Sequence, residues 1–286
     1  MGDMMYGKVI VLADATQSGD TCSFISGSTT LTKAVGADGT VEMILPALQR
    51  WTVSLDNYSA AVDLGCGECH TVNLAQDKAT WRGIQNILEA HKETELLDIG
   101  DELSVTISGV DYIYQVGAID LYESHEVIFV PKTCVGARAH HTSNTNAGGW
   151  AQSDIRTYLN GDFKAGLPEE IRDNLKSIEF KSSAGSQSTA ITTTEDYIWL
   201  PREYEIFGVT TYAANTEAQY CRQYPIFATA DQRIRTNGGV AAHWWEASAF
   251  VSSSTYFCFV STDGSANYYY ASDSYGLVPC FRFTAN

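Results

Sequence analysis

The sequence predicts an α+β protein in which a small antiparallel β-sandwich precedes a larger mixed domain. The composition combines 12% aromatic residues and 23 glycines with only 18% charged residues, which favours β-rich architecture over helical bundles. The first part of the chain consists of short strand-like runs between turn signals, and helical periodicity begins only near residue 81. The chain has 286 residues, of which 44% are hydrophobic, so it can form a packed core.

Short strands separated by turns are predicted from Lys8 to about Leu74. Turn signals recur roughly every eight to twelve residues, a spacing typical of an all-β sandwich. The segment Thr52-Val53-Ser54-Leu55 alternates polar and apolar residues, as expected for a strand with one buried face. We therefore expect residues 1–78 to form an independent β-sandwich that serves in docking or assembly.

A change of period marks the start of the second domain, which we expect to span 79–286. Trp81 and Leu88 belong to a run with helical spacing, and Asp77 or Thr80 could cap that helix. The sequence therefore predicts that a helix opens this domain.

Hairpins and short helices are predicted to follow that first helix. Ser108-Gly109 is expected to be the turn of a hairpin, and 126–131 to be a strand. A polar loop at 142–149 precedes an amphipathic helix in 150–159. The stretch 182–194 is rich in Ser, Thr and Gly and has no periodicity, so a long exposed loop is predicted there.

The charge of the chain argues against nucleic-acid binding. Acidic residues outnumber basic ones by 34 to 18, and the net charge of −16 repels phosphate backbones. No segment approaches the roughly 18 apolar residues of a membrane span, so membrane insertion is not expected. The opening residues lack a basic n-region, which predicts cytoplasmic synthesis without a secretory signal. The seven cysteines are expected to be reduced, buried small hydrophobes.

The segment Cys66-Gly67-Glu68-Cys69-His70 has the spacing that attaches c-type haem. Haem attachment requires export, and the sequence shows no secretory signal. A zinc site would need a second pair of ligands at useful spacing, and Cys22 and Cys134 each stand alone. We therefore expect a turn with two structural cysteines and no cofactor or metal.

Candidate catalytic groups are few. The adjacent His140 and His141 could supply a base or a metal ligand, but neighbouring residues point in different directions, and exposed loop histidines are the expectation. The sequence contains no nucleophile elbow, no phosphate-binding Gly loop, no H-E-x-x-H and no EF-hand loop. We expect a protein that is not an enzyme and has no catalytic residues.

The C-terminal segment 243–283 carries the strongest functional signal, because apolar residues alternate there with Ser, Thr, Asn and Tyr. The residues expected in the core are Trp244, Trp245, Cys258, Val260, Ala271, Leu277, Val278, Pro279, Phe281 and Phe283.

Strand alternation predicts which side chains of this segment face solvent. If Cys258 and Val260 point inward, Phe259 and Ser261 point outward. If Tyr269 and Ala271 are buried, the exposed residues are Tyr268, Tyr270 and Ser272. Tyr provides large rigid contact area and Ser adaptable hydrogen bonds, a composition typical of binding surfaces. The alternative is that the tyrosines simply cover a small sheet.

Several segments together resemble a known family. These are GGWAQSDIRTYLN (148–160), LPEEIRDNLKSI (167–178), the stretch ending in IFG at Gly208, WWEASA, FCFVSTDGS and the closing GLVPCFRF. The series is similar to a domain of unknown function of phage tail and Gram-positive surface proteins. It also resembles the C-type lectin fold of formylglycine-generating enzymes and of variable proteins diversified by retroelements.

This resemblance implies a C-type-lectin-like domain that binds a ligand with its C-terminal surface. The ligand-binding residues that it implies are Phe250, Ser252, Ser253, Ser254, Tyr256, Phe259, Ser261, Tyr268, Tyr270, Ser272, Asp273 and Tyr275. The calcium motifs of sugar-binding lectins do not occur. Cys258 and Cys280 lie near the region of the enzymes' active-site cysteines but in core-like contexts, so that activity is not transferred.

The predicted function is that of a phage tail receptor-binding protein, possibly diversified by a retroelement. Its expected partners are a cell-surface protein or glycan receptor, other phage tail proteins and further copies of itself, with a trimer favoured. Its expected location is the virion tail tip or baseplate. The alternatives are a non-adhesive structural tail subunit and a relative of the formylglycine-generating enzymes.

Overall fold

The chain is mainly β, and the predicted α+β class is wrong. The computed structural model describes residues 6–13, 17–55, 58–74 and 78–285. Strands account for 41% of residues and helices for 19%. The helices are short connections between strands and do not form a layer of their own, which is why the class differs from the prediction. The chain divides into two compact units, the first ending at Leu96 and the second running from Leu97 to Thr284.

The first unit contains two sheets. Its strands are β1 (Tyr6–Leu12), β2 (Thr21–Ser26), β3 (Thr29–Ala34), β4 (Thr40–Pro46), β5 (Gln49–Leu55), β6 (Tyr58–Leu64) and β7 (Cys69–Asn73). One sheet has the order β4-β1-β7 and the other the order β3-β2-β5-β6. Residues of both sheets form one hydrophobic core, so the two sheets pack face to face as a sandwich.

The sandwich departs from the predicted antiparallel arrangement at one strand. β7 pairs with β1 in parallel, with Lys8 opposite Cys69, whereas β4 pairs with β1 antiparallel. Alternation sets the faces, since Val9 and Val11 are buried while their neighbours are partly or fully exposed. A parallel neighbour needs a long connection, and the chain between β1 and β7 supplies it by forming the other strands.

The helix predicted at Trp81 is present and groups with the first unit by contacts. It is α1 (Trp81–Glu89), and it is followed by α2 (Glu93–Leu96). The Thr80 hydroxyl caps α1 by accepting a hydrogen bond from the Gly83 N–H at 3.0 Å, while Asp77 lies outside the described residues. The contact boundary therefore follows these helices, whereas the sequence analysis places them in the domain 79–286.

The second unit contains two five-stranded sheets and two hairpins. Its strands are β8 (Glu102–Ile107), β9 (Val110–Ile119), β10 (Glu126–Pro131), β11 (Ala137–Ala139), β12 (Ile178–Ser183), β13 (Ile191–Asp196), β14 (Ile198–Trp199), β15 (Arg235–Asn237), β16 (Val240–Ala242), β17 (Trp244–Ala249), β18 (Tyr256–Val260), β19 (Ala266–Tyr270), β20 (Ser274–Gly276) and β21 (Cys280–Thr284). Its α-helices are α3 (Asp154–Tyr158), α4 (Glu169–Arg172), α5 (Glu203–Phe207), α6 (Asn215–Ala218) and α7 (Ala230–Arg233).

The first of these sheets has the order β14-β21-β10-β9-β8 and is antiparallel. The predicted hairpin turn is confirmed, because Ile107 pairs with Val110 and both Ser108 and Gly109 have positive φ angles. Two successive residues in this conformation match the twist of the flanking strands. The predicted strand over 126–131 is β10, and all of its residues are buried.

The second sheet has the order β11-β20-β17-β18-β19 and carries the C-terminal tyrosines. β17 and β18 are antiparallel, as are β18 and β19. Every residue of β17 is buried, as are four of the five residues of β18. Two central strands buried on both faces form a rigid base for the more exposed β19.

The loop predicted over 182–194 is largely a hairpin. β12 and β13 pair from Ile178 with Asp196 to Ser183 with Ile191. Threonine has high strand propensity, and successive threonines in β13 supply it without the apolar alternation that the prediction required. Among the described residues, no helix has the length and apolar character needed to cross a membrane.

The amphipathic helix predicted over 150–159 is split into three turns. A 3₁₀ turn at Gly149–Gln152 precedes α3, and a π-helical turn at Leu159–Phe163 follows it. The Ser153 hydroxyl accepts a hydrogen bond from the Arg156 N–H at 3.1 Å and so caps α3.

Candidate functional site

Five aromatic side chains form a contiguous group on one side of the second sheet. We call this group the aromatic surface, and it consists of Tyr212, Phe250, Tyr256, Tyr268 and Tyr270. The register places Tyr256 opposite Tyr270 on β18 and β19, and Cys258 opposite Tyr268. Directly paired residues share a face, so Tyr256, Tyr268 and Tyr270 lie side by side.

The rings of the aromatic surface pack against each other in a fixed order. Phe250 is stacked on Tyr268 with a centroid distance of 4.0 Å and an interplanar angle of 11°. Tyr212 and Tyr268 meet edge to face at 4.9 Å, and Tyr256 and Tyr270 do so at 4.7 Å. All five side chains are partly or fully exposed. Offset-stacked and edge-to-face pairs are the favoured aromatic geometries, so these rings are held in place before any ligand arrives.

The opposite face of the same sheet carries a second aromatic group. We call it the opposite cluster, and it consists of Trp245, Phe259, Tyr269 and Tyr275. Trp245 pairs with Phe259 across β17 and β18, and the Tyr275 ring lies 4.6 Å from the Trp245 ring. Burial raises the pKa of Tyr275 to about 12, so its phenol is neutral.

The structure corrects two of the predicted orientations. Phe259 is only 4% exposed, because its ring packs against Trp245, Tyr275 and His243. Tyr269 is 43% exposed although it was expected to be buried, because β19 is an edge strand and that face of it remains accessible. Strand alternation alone therefore does not predict exposure here, because β18 is covered on both faces whereas the edge strand β19 is open to solvent.

The remaining predicted binding residues are accessible, but they do not form one patch. Those with partly or fully exposed side chains are Phe250, Ser252, Ser253, Ser254, Tyr256, Ser261, Tyr268, Tyr270, Ser272, Asp273 and Tyr275. Tyr275 lies with the opposite cluster, whereas Tyr256, Tyr268 and Tyr270 lie on the aromatic surface. The expected core positions of this segment are all buried, which confirms that part of the prediction.

Asn146 holds the loop that carries Phe250 and the predicted serines. Its buried amide donates hydrogen bonds to the backbone carbonyls of Ser253 and Tyr256, both at 2.8 Å. Its carbonyl oxygen accepts a hydrogen bond from the Ser186 N–H at 2.8 Å. The sequence analysis assigned Asn146 only to a polar loop, and its role depends on contacts with residues about a hundred positions away.

A buried glutamate fixes the loop that carries Tyr212. The carboxylate of Glu203 accepts hydrogen bonds from the N–H groups of Thr211, Tyr212 and Ala213, at 2.7–3.0 Å. Burial raises the pKa of Glu203, and the three N–H groups counteract that rise by stabilising the charged form. Glu203 is therefore a positioning residue for the Tyr212 side of the aromatic surface.

Two further carboxyl groups of the second unit, those of Glu205 and Glu217, are buried. Glu217 accepts hydrogen bonds from the Ser183 N–H and the Ser248 hydroxyl, both at 2.6 Å, and burial raises its pKa to about 7. Arg202 donates to Glu205 at 2.6 Å in a pair that is almost completely buried. The sequence analysis missed these residues; the available signal was a charged residue inside an apolar run, as in WLPREYEIF and WWEASA.

The predictions for His140 and His141 are wrong, since both residues are buried. The His140 ring stacks on Phe257 at a centroid distance of 3.7 Å, and its Nε2 donates to the backbone carbonyl of Glu246 at 2.8 Å. Burial lowers the pKa of His140 to about 3, so the ring is neutral. His140 is thus a core residue that supports the sheet.

The two cysteines of the C-x-x-C-H segment are exposed, in contrast to the expected burial. Cys66 lies in a turn, and Cys69 begins β7. The imidazole Nε2 of His70 lies 3.0 Å from the Glu68 carboxylate. The other five cysteines are buried, as expected.

Comparison with known proteins identifies one family. Residues 124–284 match a domain of unknown function, DUF6273, which covers more than half of the chain. No curated protein matches the sequence. The family description gives no activity, so the C-type-lectin and formylglycine-generating-enzyme resemblances stay predictions.

Two solved structures show distant similarity. A DUF3823 family protein from Parabacteroides merdae is 12% identical with a TM-score of 0.22, and the match covers 46% of this chain and 58% of that one. The Bacillus anthracis TIE protein is 10% identical with a TM-score of 0.21, and the match covers 44% and 28%. The chain thus matches less than two thirds of either protein, and these scores carry no argument about fold or function.

Proposed function

The chain belongs to the DUF6273 family of domains of unknown function, and we propose that it is a receptor-binding protein that recognises a cell-surface ligand through the aromatic surface. Recognition is non-covalent. The proposal places the protein at a phage tail tip, bound to other tail proteins, where several copies contact a protein or glycan receptor. The resemblance of segments such as 148–160 and 167–178 to a domain of phage tail and Gram-positive surface proteins supports this setting.

One observation carries the proposal. Three adjacent tyrosines of β18 and β19 are accessible to solvent while their rings are already packed against one another and, for Tyr256 and Tyr268, against Phe250. Ordering flexible side chains opposes binding, and rings that are fixed beforehand avoid much of that cost. Rigid aromatic groups with a polar tip provide the contact area and hydrogen bonds on which binding surfaces rely.

The polar residues around the aromatic surface fit a binding rim. Ser252 and Ser254 are exposed in the loop next to Phe250, and Ser272 is exposed just after β19. Binding energy commonly concentrates in a few central aromatic residues while the surrounding polar contacts exclude water. Several copies in one assembly would convert weak single contacts into avidity.

A strand-matched pair of variants tests the proposal. Tyr270 and Tyr269 are neighbours on β19 with similar exposure, 40% and 43%. Their side chains start on opposite faces of the sheet, and the two rings meet only edge to face at a centroid distance of 5.4 Å. In the proposal, Tyr268→Ala/Tyr270→Ala weakens binding to host cells roughly 30-fold or more, as for hot-spot residues. Tyr269→Ala serves as the control and leaves binding within about threefold of wild type.

Assembly measured on the same samples separates this function from its rival. Cell binding is followed with labelled protein, and oligomeric state is followed by light scattering. Loss of binding with unchanged assembly supports receptor recognition. Failed assembly in the double variant would instead indicate that a neighbouring chain covers the aromatic surface, as in a structural tail subunit. Unchanged binding and assembly would refute both.

A further inference from the structure

Glu246 is a carboxyl group buried in the centre of the second sheet. It lies in the middle of β17 with Trp245 before it and Ala247 after it, and it is 0% exposed. Neither of its carboxyl oxygens has a hydrogen-bond partner among the described residues. Burial of a carboxylate without compensation is so unfavourable that an unsatisfied one requires an explanation.

Two further potential ligands lie beside it. One carboxyl oxygen of Glu246, one of Glu203 and the sulfur of Cys258 all lie within 4.8 Å of one another. Glu246 and Cys258 come from neighbouring central strands of the second sheet, and Glu203 is the first residue of α5. Three separate elements therefore direct donor atoms to one point in the core.

Glu203 can take part without losing its present contacts. Its Oε1 accepts one hydrogen bond, from the Tyr212 N–H at 3.0 Å, and its Oε2 accepts bonds from Thr211, Tyr212 and Ala213. A carboxylate has about four acceptor positions on its two oxygens, so Oε1 retains one. The loop that carries Tyr212 would stay in place when Oε1 binds a further group.

Protonation alone does not satisfy Glu246. A neutral carboxyl group would remove the charge, and its O–H could donate to Glu203 after a small movement, but its other oxygen would still have no donor in the described part of the chain. A cation between the three groups would neutralise charge and fill the empty coordination positions together. This arrangement uses one Glu246 oxygen and the neighbouring thiol as ligands, and a water molecule bound to the ion could donate a hydrogen bond to the second Glu246 oxygen.

The donor set selects the class of ion. Two carboxylate oxygens and one sulfur suit a borderline metal such as Zn²⁺, whereas Mg²⁺ and Ca²⁺ prefer oxygen ligands alone. Zinc bonds of about 2.0–2.2 Å to oxygen and about 2.3 Å to sulfur place ligand atoms roughly 3–4 Å apart in a tetrahedron. The observed separations allow this with small side-chain movements.

We infer that Glu203, Glu246 and Cys258 bind one Zn²⁺ ion that connects α5 to the centre of the second sheet. The fourth position is taken by a buried water molecule. The ion replaces the proton of the Cys258 thiol, and that proton passes to solvent. The site is structural and stands whether or not the aromatic surface binds a receptor.

The first test is the metal content of the full chain. It uses a Cys66→Ser/Cys69→Ser background, because the exposed cysteines could bind zinc on their own. Protein produced with zinc in the medium is expected to retain about one equivalent after dialysis against a weak chelator. Folded protein with essentially no zinc, and no change in Tm when Zn²⁺ is present during refolding, would overturn the inference.

Variants with matched controls identify the ligands. Cys258→Ser and Glu246→Gln are expected to lose the bound zinc and the Zn²⁺-dependent rise in Tm. Cys280→Ser, another buried cysteine, and Glu217→Gln, another buried glutamate, are expected to keep both. Retention of zinc by the first pair would overturn the assignment, as would a Glu246→Gln protein that is more stable than the zinc-saturated parent.

A spectroscopic measurement does not depend on the variants folding. Co²⁺ replaces Zn²⁺ in such sites, and a cobalt–thiolate bond gives a charge-transfer band in the near ultraviolet. The Cys66→Ser/Cys69→Ser protein refolded with Co²⁺ is expected to show this band, and excess Zn²⁺ is expected to abolish it. Absence of the band in folded, cobalt-treated protein would show that no cysteine sulfur ligates the ion.

Discussion

The Phe250 ring lies parallel to the Tyr268 ring at a centroid distance of 4.0 Å, and this contact joins the loop after β17 to the edge strand β19. Phe250 also stands edge to face against Tyr212 at 5.8 Å. The phenylalanine therefore connects the two loops and the strand that together make the aromatic surface.

Replacing Phe250 is expected to loosen the whole surface. Phe250→Ala removes two stacked pairs, with Tyr256 and Tyr268, and one edge-to-face pair, with Tyr212. Each pair contributes about 0.5–1.5 kcal/mol beyond area burial, so we expect a loss of about 1.5–4.5 kcal/mol in unfolding free energy. Urea denaturation measures it. Phe250→Tyr keeps the ring and is expected to stay within about 0.5 kcal/mol of wild type. Equal stability of Phe250→Ala and wild type would show that the stack contributes nothing.

Asn146 is expected to be more important for stability than its position in a polar loop indicates. Asn146→Ala leaves the Ser253 carbonyl without its donor and the Ser186 N–H without its acceptor, at a cost of about 1–3 kcal/mol for each buried unsatisfied group. The Tyr256 carbonyl also loses the amide but keeps the Phe250 N–H as a donor. The expected loss is about 2–4 kcal/mol by chemical denaturation. Asn144→Ala, two residues earlier and exposed, is the control and is expected to change stability by less than about 0.5 kcal/mol.

A glycine next to Asn146 provides a backbone test of the same region. Gly185 has a φ angle of +66°, and a Cβ there would lie 1.8 Å from the backbone carbonyl oxygen of Asn146. Gly185→Ala is therefore expected to destabilise the protein by about 2 kcal/mol or more, read from the thermal or urea transition. At Gly161, where a Cβ meets nothing within 4 Å, the same substitution is expected to be neutral or mildly stabilising.

Glu217 is expected to make stability fall as pH rises. Its pKa is about 7 in the folded protein against an ordinary value of 4.5, so between these values the folded state holds a proton that the unfolded state has released. The stability that Glu217 contributes is thus fully present below about pH 4.5, declines by up to about 1.4 kcal/mol per pH unit, and levels off above pH 7.

The corresponding measurement compares Glu217→Gln with the parent protein from pH 5 to pH 8 after treatment with a chelator. The variant lacks the titrating group, so its stability relative to the parent is expected to rise by about 2–3 kcal/mol across this range. Glu170→Gln, at an exposed position, is the control for the effect of removing a charge. Parallel curves for Glu217→Gln and the parent would contradict the prediction.

Local signals in the sequence were sufficient for some elements of the fold. The Ser108-Gly109 turn and the Thr80 cap depend on neighbouring residues only, and both are present. The C-terminal core positions are also buried as predicted, because exposing large apolar side chains to water is unfavourable. The β12–β13 hairpin was missed because threonine-rich strands lack an apolar period.

The site was only partly predictable, because the exposure of each side chain depends on whether its strand lies at the centre or at the edge of the sheet. Phe259 and Tyr269 were both misplaced, since no local pattern shows that β18 is central and β19 is an edge. The support by Asn146 and Glu203 depends on long-range pairing of polar groups with backbone N–H and C=O groups. Such partners lack a periodic signature, and only the three-dimensional structure reveals them.

Because successive side chains of β19 point to opposite sides, three consecutive codons specify two different surfaces. Substitutions at 268 and 270 alter mainly one of them, a substitution at 269 alters mainly the other, and the edge-to-face contact of Tyr269 with Tyr270 joins the two. Mutation within one short stretch of the gene can therefore change two external contacts of the protein, while the buried strands beside it keep their sequence.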